Sequence, residues 1–229
     1  MTRDAWLVDL GRRDFAEVWD LQRQLVDGRI RDQIPDALVL VEHPPVVTLG
    51  RHRQPEAFTA AASERDVPVY EIERGGQATY HGPGQLVGYP ILKLEGERRD
   101  LHRYLRDLEA VLIDALGDFG VATQRSDGAT GVWTAHHPPG KLASIGIAVR
   151  RWVTYHGFAL NVATDLRDFE IISPCGFKPE VMTSMTRELD RTVALDEVKL
   201  TIRARVESHF GLRLHPRDVT ELDVSAVQH

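Results

Sequence analysis

Residues 141–162 of the chain read KLASIGIAVRRWVTYHGFALNV, and this stretch decides the class of fold. Two extended, mostly apolar segments, 141–149 and 152–162, flank the pair Arg150-Arg151. A tight connection between two such segments is typical of a β-hairpin. The stretch therefore predicts two neighbouring strands of one sheet.

Further strands and helices are predicted on both sides of this hairpin. Strands are expected at residues 6–10, 37–42, 46–49, 67–72 and 86–94. Helices are expected where apolar residues recur at helical spacing, after Asp14, from Leu101 to Leu116 and from Val198 to Phe210. Asp14 and Glu17 have the spacing of a capping box. The pattern predicts an α/β (α+β) fold, a mixed β-sheet with helices packed mainly on one face. Periodicity does not give the strand order.

Size, charge and cysteine content exclude several classes of function. The chain has 229 residues, a formal net charge of −6 and one cysteine. The negative total argues against nucleic acid as the main partner, and one cysteine cannot form an internal disulfide, which fits a reducing compartment. No apolar run is long enough for a membrane span and the N-terminus lacks a secretion signal, so a cytoplasmic protein is expected. We expect one domain over residues 1–229, a monomer, with residues 217–229 as a loosely held tail.

A glycine-rich loop is the most informative polar segment. Residues 74–85 read RGGQATYHGPGQ, with four glycines between two predicted strands. Such a loop is either a tight surface turn or a place where the backbone approaches a ligand closely. The density of Arg, Thr, Tyr, His and Gln side chains favours the ligand, and free backbone N–H groups suit an oxyanion or an acyl carbonyl.

Cys175 and Lys141 are the candidate reactive residues. Cys175 lies in the turn-like sequence Pro174-Cys175-Gly176, where a lone cysteine is either a small buried hydrophobe or a nucleophile. Lys141 opens a strand of small and apolar residues, either as a surface lysine at a strand end or as a partly buried amine. An amine of the second kind beside a thiol would stabilise the thiolate and carry protons.

The remaining polar residues give weaker signals. Gly157, Phe158 and Ala159 belong either to an ordinary core strand or to one that leaves room and an apolar wall on one face. The ten histidines show no spacing typical of a zinc site, so no metal is expected. The adjacent pair His136-His137 is expected in an exposed loop.

Taken together, ordered segments of the chain resemble the lipoyl(octanoyl) transferase family. The matching segments cover about residues 37–187 and comprise His43 to Gly50, Arg74 to Gln85, Gly131 to Trp133, Gly140 to Gly146, His156 to Asn161, Pro174 to Gly176 and Thr183 to Met185. No single segment is decisive, but the ordered set is specific.

The resemblance implies a fold similar to the catalytic domain of biotin protein ligases and lipoate ligases. It implies acyl carrier protein as the octanoyl donor, apo lipoyl domains or glycine cleavage H protein as acceptors, and no cofactor. It further implies that Cys175 carries the acyl thioester and that Lys141 stabilises its thiolate. The implied substrate-contacting residues are Arg74, Gly75, Gly76, Gln77, Ala78, Thr79, Tyr80, His81, Ser144, Ile145, Gly146, Gly157, Phe158 and Ala159.

Two further hypotheses follow from an acyl transfer of this kind between two proteins. The acyl tail needs an apolar groove, for which Phe158, Ile145 and Leu142 are the lining candidates. Both protein partners of such enzymes are typically acidic, so a basic rim is expected around the site. The arginines proposed for this rim are Arg51, Arg53, Arg74, Arg150 and Arg151.

Three alternative functions remain open at this stage. An ATP-dependent lipoate or biotin ligase on the same scaffold would not need Cys175. An amidotransferase that moves acyl groups between lipoyl-type proteins would share the cysteine chemistry. A module that only binds carrier proteins would need neither Cys175 nor Lys141, so the presence of both residues argues against it.

Overall fold

The predicted hairpin lies inside an eight-stranded sheet in the computed structural model, which describes residues 2–52, 65–172 and 181–222. The strands are β1 (Arg3–Arg12), β2 (Asp36–Glu42), β3 (Val46–Leu49), β4 (Val69–Glu71), β5 (Ala78–His81), β6 (Gln85–Ile91), β7 (Thr123–Ser126), β8 (Ala129–Thr134), β9 (Lys141–Arg150), β10 (Val153–Asn161) and β11 (Leu212–Pro216). The helices are α1 (Phe15–Ile30), α2 (Leu101–Asp118), α3 (Met185–Leu189) and α4 (Leu195–Phe210), with short 3-10 helices at Gly96–Arg98, Leu166–Ile171 and Val219–Glu221.

The large sheet has the order β11-β1-β2-β6-β10-β9-β8-β7. Strand β1 runs parallel to β11 and to β2, and every other neighbouring pair is antiparallel. A smaller sheet, β4-β3-β5, combines one parallel and one antiparallel pair. The predicted mixed sheet is therefore confirmed.

Side chains that alternate along the strands form two core layers. On β2, Leu38 and Leu40 pack in the layer that contains α2 and α4, whereas Val39 and Val41 pack in the layer that contains α1. Two long helices thus cover one face and one covers the other, and β2 is buried on both sides. Burial on both faces explains why this segment reads as an unbroken apolar run.

Two local predictions need correction. Asp14 occupies the N-cap position of α1 with extended backbone, but its side chain makes no capping hydrogen bond, so the predicted capping box is wrong. The segment predicted as a loose tail begins with packed residues: the Arg217 amide donates to the Leu7 carbonyl at 2.8 Å, and Leu222 is buried against the α1 layer. Residues 223–229 lie outside the described part of the chain.

No helix in the described ranges combines the length and apolar character that crossing a lipid bilayer demands.

Candidate active site

Lys141 begins β9 and is buried, with 3% of its surface exposed. The alternative of a surface lysine is therefore wrong. Its ammonium lies 5.3 Å from the centre of the Trp133 ring, on the neighbouring strand β8. An aromatic face attracts a cation at this distance. The indole thus holds the amine at one position beside the sheet.

Gly131 provides the space for the lysine stem. A Cβ atom at this position would lie 3.0 Å from Lys141 Cε and 2.4 Å from the Ala143 carbonyl oxygen. The residue also has a φ of +128°, which L side chains rarely adopt. Only glycine allows β8 to pass this close to the lysine.

Cys175 belongs to residues 173–180, which lie outside the described part of the chain. The chain that follows this segment runs along Lys141. Met182 forms a parallel bridge with Lys141, and the Thr183 amide donates to the Lys141 carbonyl at 3.1 Å. On the other side, Ile172 is fully buried. The Cys175–Lys141 distance stays a prediction.

Two adjoining cavities open beside Lys141. The outer cavity, about 390 Å³, is lined by His52, Gly75, Gly76, Gln77, Leu105, Gly128, Ala129, Thr130, Lys141, Ile145, Gly146 and Ile147. The inner cavity, about 40 Å³, is lined by Phe15, Ile72, Arg74, Gly75, Gly76, Thr79, His81, Val87, Tyr89, Ser144, Ile145, Gly146, His156, Gly157, Phe158 and Ala159. Because Gly75, Gly76, Ile145 and Gly146 line both, the two form one cleft that leads from the lysine into the interior.

Strand β5 separates the predicted loop residues into two groups. Thr79 and His81 line the inner cavity. Ala78 and Tyr80 face the opposite side, where Tyr80 packs against Phe169 and donates a 2.7 Å hydrogen bond to Asp168. Successive side chains of a strand alternate between its faces, so all four cannot line one cavity. The geometry gives the side chains of Ala78 and Tyr80 a place in the core instead.

The predicted residues of β9 and β10 line the cleft, with one exception. Ser144, Ile145, Gly146, Gly157, Phe158 and Ala159 all border the inner cavity. Leu142, a candidate for the acyl groove, is fully buried in the layer that contains α2 and α4. It therefore supports the sheet from the side of the helices and does not line the cleft.

Arg74 anchors the glycine-rich loop. Its guanidinium donates to the Thr48 carbonyl at 2.7 Å, to the Thr48 hydroxyl at 2.9 Å and to the Gly75 carbonyl at 3.0 Å. Only 6% of the residue is exposed, although it borders the inner cavity. The prediction that Arg74 belongs to a solvent-facing rim is therefore wrong, because these bonds hold its side chain inside the protein.

Two further arginines of the expected rim lie apart from the cleft. Arg150 pairs with Asp27, and Arg151 is exposed at the turn between β9 and β10. Strand β9 has ten residues, so this turn lies about 30 Å from Lys141 along the strand. Arg53 lies outside the described residues, which leaves Arg51 as the exposed arginine of this set next to the cleft-lining His52.

A buried polar network connects the inner cavity to the backbone beside Lys141. His81 Nδ1 lies 2.7 Å from the Gln85 side-chain oxygen, and the Gln85 amide nitrogen donates to Asn161 Oδ1 at 3.0 Å. Asn161 Nδ2 in turn donates to the Thr183 carbonyl at 3.0 Å. Because Gln85 offers its oxygen here, His81 Nδ1 carries the proton and Nε2 is left as an acceptor.

Sequence reasoning did not assign roles to Gln85, Asn161 or Trp133, although each lies in a matching segment. The available signal was the presence of polar side chains within otherwise apolar strands. His156 gives a further unexpected feature, since it lines the inner cavity with a φ of +54°. Its Nε2 atom lies 3.5 Å from the Glu73 carboxylate.

His136, as expected, is exposed. Within the described residues, no group of three His, Cys, Asp or Glu side chains is arranged to hold a metal ion.

Comparisons with known proteins show the family and the fold of the chain. The family described as the lipoyl protein ligase A/B catalytic domain matches residues 14–207. An octanoyltransferase of Synechococcus elongatus is 47% identical over 221 residues, which cover 96% of this chain and 93% of the relative. A solved structure of the archaeal lipoylation system of Thermoplasma acidophilum contains a bipartite lipoate protein ligase and its E2 lipoyl domain. One of its chains has a TM-score of 0.76 at 16% identity, and the match covers 98% of this chain and 90% of that chain. A biotin protein ligase from Leishmania major, with biotinyl-5-AMP, has a TM-score of 0.50 at 11% identity, with coverage of 89% and 73%.

The chain therefore belongs to the lipoyl protein ligase A/B catalytic-domain family, the class that its fold and cleft define. Within this family it is an acyltransferase of the octanoyltransferase group, so the resemblance drawn from the sequence is confirmed. The expected likeness to lipoate ligase and biotin protein ligase folds is confirmed as well.

Proposed function

We propose that this chain, as a cytoplasmic enzyme, transfers an octanoyl group from acyl carrier protein to one lysine of a lipoyl domain or of glycine cleavage H protein. Cys175 carries the acyl group as a thioester, and Lys141 is its acid/base partner. No cofactor takes part in this scheme.

The observation that carries the proposal is the environment of Lys141. A buried amine lies at the mouth of a cleft that continues into the interior, and the chain next to it is Met182 and Thr183. These residues follow the Cys175 segment by only a few positions. A buried lysine that borders a cleft can act on a bound substrate, because its amine can donate and accept protons.

The proposed reaction has two balanced steps. In the first, the Cys175 thiolate attacks the donor thioester, a new thioester forms, and the thiol of the carrier leaves with a proton from Lys141. In the second, the acceptor lysine amine attacks the acyl-enzyme, Lys141 takes a proton from that amine, and the Cys175 thiolate departs. Exchange between thioesters is nearly balanced in energy and amide formation is downhill, so ATP is not needed.

Backbone amides of the glycine-rich loop are candidates for the oxyanion site. The Gly75 amide donates to the Ile147 carbonyl at 2.9 Å, so it is already committed to the sheet. Gly76 and Gln77, which border the outer cavity with Lys141, are the remaining candidates in this loop. A donor aimed at the developing oxyanion typically lowers the barrier by about 3 kcal/mol.

The inner end of the cleft offers the acyl tail an apolar wall. Ile145 and Phe158 border it, and burial of each methylene is worth about 0.8 kcal/mol. A cleft of fixed depth therefore favours one chain length over another.

A donor assay tests this function against the ligase alternative. Purified enzyme and an apo lipoyl domain are supplied either with octanoyl-acyl carrier protein or with octanoate and ATP. The proposal expects octanoylated lipoyl domain only from the first donor, and loss of transfer in Cys175→Ala and Lys141→Met. Transfer from octanoate and ATP that survives Cys175→Ala would identify a ligase instead.

A further inference from the structure

A third cavity continues from the outer cavity at the turn between β7 and β8. It has a volume of about 200 Å³ and is lined by His102, Leu105, Arg106, Glu109, Ser126, Gly128, Ala129 and Thr130. We call it the arginine cavity. Because Leu105 and residues 128–130 line both, the outer and arginine cavities are neighbours that share one wall.

A buried carboxylate holds one arginine at this cavity and binds a second arginine beside it. Glu109 is 1% exposed, and its Oε2 atom accepts hydrogen bonds from Arg106 at 2.8 Å and from Arg125 at 3.0 Å. Its Oε1 atom accepts a bond from the Gly131 amide at 3.2 Å. One carboxylate thus meets two cations, of which Arg106 lines the cavity, whereas Arg125 and Asp127 do not. The cluster of Glu109, Arg106 and Arg125 carries one excess positive charge.

Both guanidinium groups also stay accessible. The side chains of Arg106 and Arg125 are 59% and 43% exposed although each is bound to Glu109. Arginine has five N–H donors, so atoms remain for a second oxyanion. An arginine held in place by a carboxylate loses less conformational entropy when an anion binds.

The distance from Lys141 is compatible with one kind of anion. The Lys141 side chain reaches Gly131, where a Cβ would lie 3.0 Å from Lys141 Cε, and Ala129 precedes Gly131 by two residues, which corresponds to about 7 Å along the strand. The arm of an acyl carrier protein has about thirteen bonds between its sulfur and its phosphorus. At the span of an extended peptide, about 3.5 Å for every three backbone bonds, the arm reaches about 15 Å. The arm is therefore long enough to extend from Lys141 past Ala129 into the arginine cavity.

We propose that the arginine cavity binds the phosphate of the carrier's phosphopantetheine arm while the thioester lies beside Lys141. This inference rests on the proposed function, because it assumes a carrier-bound donor. The phosphate receives charge-assisted hydrogen bonds from Arg106, and the pantetheine chain follows the shared wall at Leu105. A free acid activated by ATP has no such group.

Binding to the full-length Cys175→Ala protein tests the proposal, since acyl transfer cannot deplete the ligand there. Dissociation constants are measured by titration for octanoyl-pantetheine and octanoyl-4′-phosphopantetheine. We expect the phosphorylated ligand to bind at least tenfold more tightly. Arg106→Gln in the same background should reduce this ratio to about one by weakening the phosphorylated ligand. Arg103→Gln is the matched control, because Arg103 lies on the same helix but borders a different cavity. It should leave the ratio unchanged.

Three results would overturn the proposal. One is equal affinity for the two ligands, or no measurable binding of either. Another is an equal loss for both ligands in Arg106→Gln, which would make the arginine a purely structural residue. The third is a loss in Arg106→Gln that occurs only with intact octanoyl-acyl carrier protein, which would indicate contact with the carrier's protein surface. Turnover of octanoyl-acyl carrier protein by the unaltered enzyme is measured in parallel, so failure of the phosphate site and failure of the proposed function are distinguishable.

Discussion

Lowering the pH from 7 to 5 is expected to reduce the free energy of unfolding by about 4 kcal/mol through two buried imidazoles. His43 Nδ1 lies 2.8 Å from the Arg13 carbonyl, so it must donate, and Nε2 must accept from the Tyr89 hydroxyl at 2.8 Å. His81 is held to Gln85 in the same way. Neither ring gains a partner for a second proton from these bonds.

Burial sets the sign of the effect. It lowers the pKa of His43 from 6.5 to about 4 and the pKa of His81 to about 3, where the neighbouring His43 ring, 5.9 Å away, lowers it further. Below pH 6.5 the unfolded chain binds protons that the folded chain does not, so stability falls as the pH falls. Each ring contributes about 2 kcal/mol at pH 7 that is lost by pH 5. Burial also lowers the pKa of His156, which acts in the same direction.

Urea unfolding followed by tryptophan fluorescence at pH 7 and pH 5 measures this effect. Carboxylates with lowered pKa values, such as Asp165 at about 2, lose their contribution only at lower pH, so the window reports on histidine. His43→Asn should remove about half of the pH dependence, whatever its effect on stability at pH 7. If the free energy of unfolding changes by less than about 1 kcal/mol between the two pH values, the claim that both rings are neutral and desolvated in the folded protein is refuted.

Two substitutions test the packing of the site. A Cβ at Gly88 would lie 2.2 Å from the Phe158 ring, so Gly88→Ala should lower the free energy of unfolding in urea by about 1–3 kcal/mol. Adding Phe158→Leu to this variant should recover part of that loss. Stability losses of the two substitutions that simply add would contradict this contact. Trp133→Leu removes the aromatic face near Lys141 and should lower the single-turnover rate of acyl transfer at least tenfold, whereas Trp133→Phe should retain most of it. Equal rates in the two variants would argue against an interaction with the ring.

The sequence located the long helices and most central strands, but it missed β5, β7, β8, β11 and α3 and did not show which way the strands face. Periodicity located the hairpin of β9 and β10 to within a residue or two at each end. It could not tell which of Thr79 and Tyr80 borders the cleft, because all four residues of β5 are buried. Leu142 was misassigned for the same reason, since both faces of β9 meet protein at that point.

The sequence also did not predict contacts between distant segments of the chain. Arg74 reads as a surface cation until Thr48, 26 positions away, supplies its acceptors. The approach of Trp133 to Lys141 depends on an irregular register between β8 and β9, which no local pattern encodes. Residues of the family segments, such as Thr79 and Phe158, do line the cleft, and their roles as substrate contacts stay a prediction.

Intact-mass spectrometry of the enzyme after brief incubation with octanoyl-acyl carrier protein, without acceptor, tests the central claim most directly. The account predicts a gain of one octanoyl group that hydroxylamine removes and that peptide mapping assigns to Cys175. An enzyme that octanoylates lipoyl domains at full rate while its own mass never changes, or whose label lies on another residue, would contradict it.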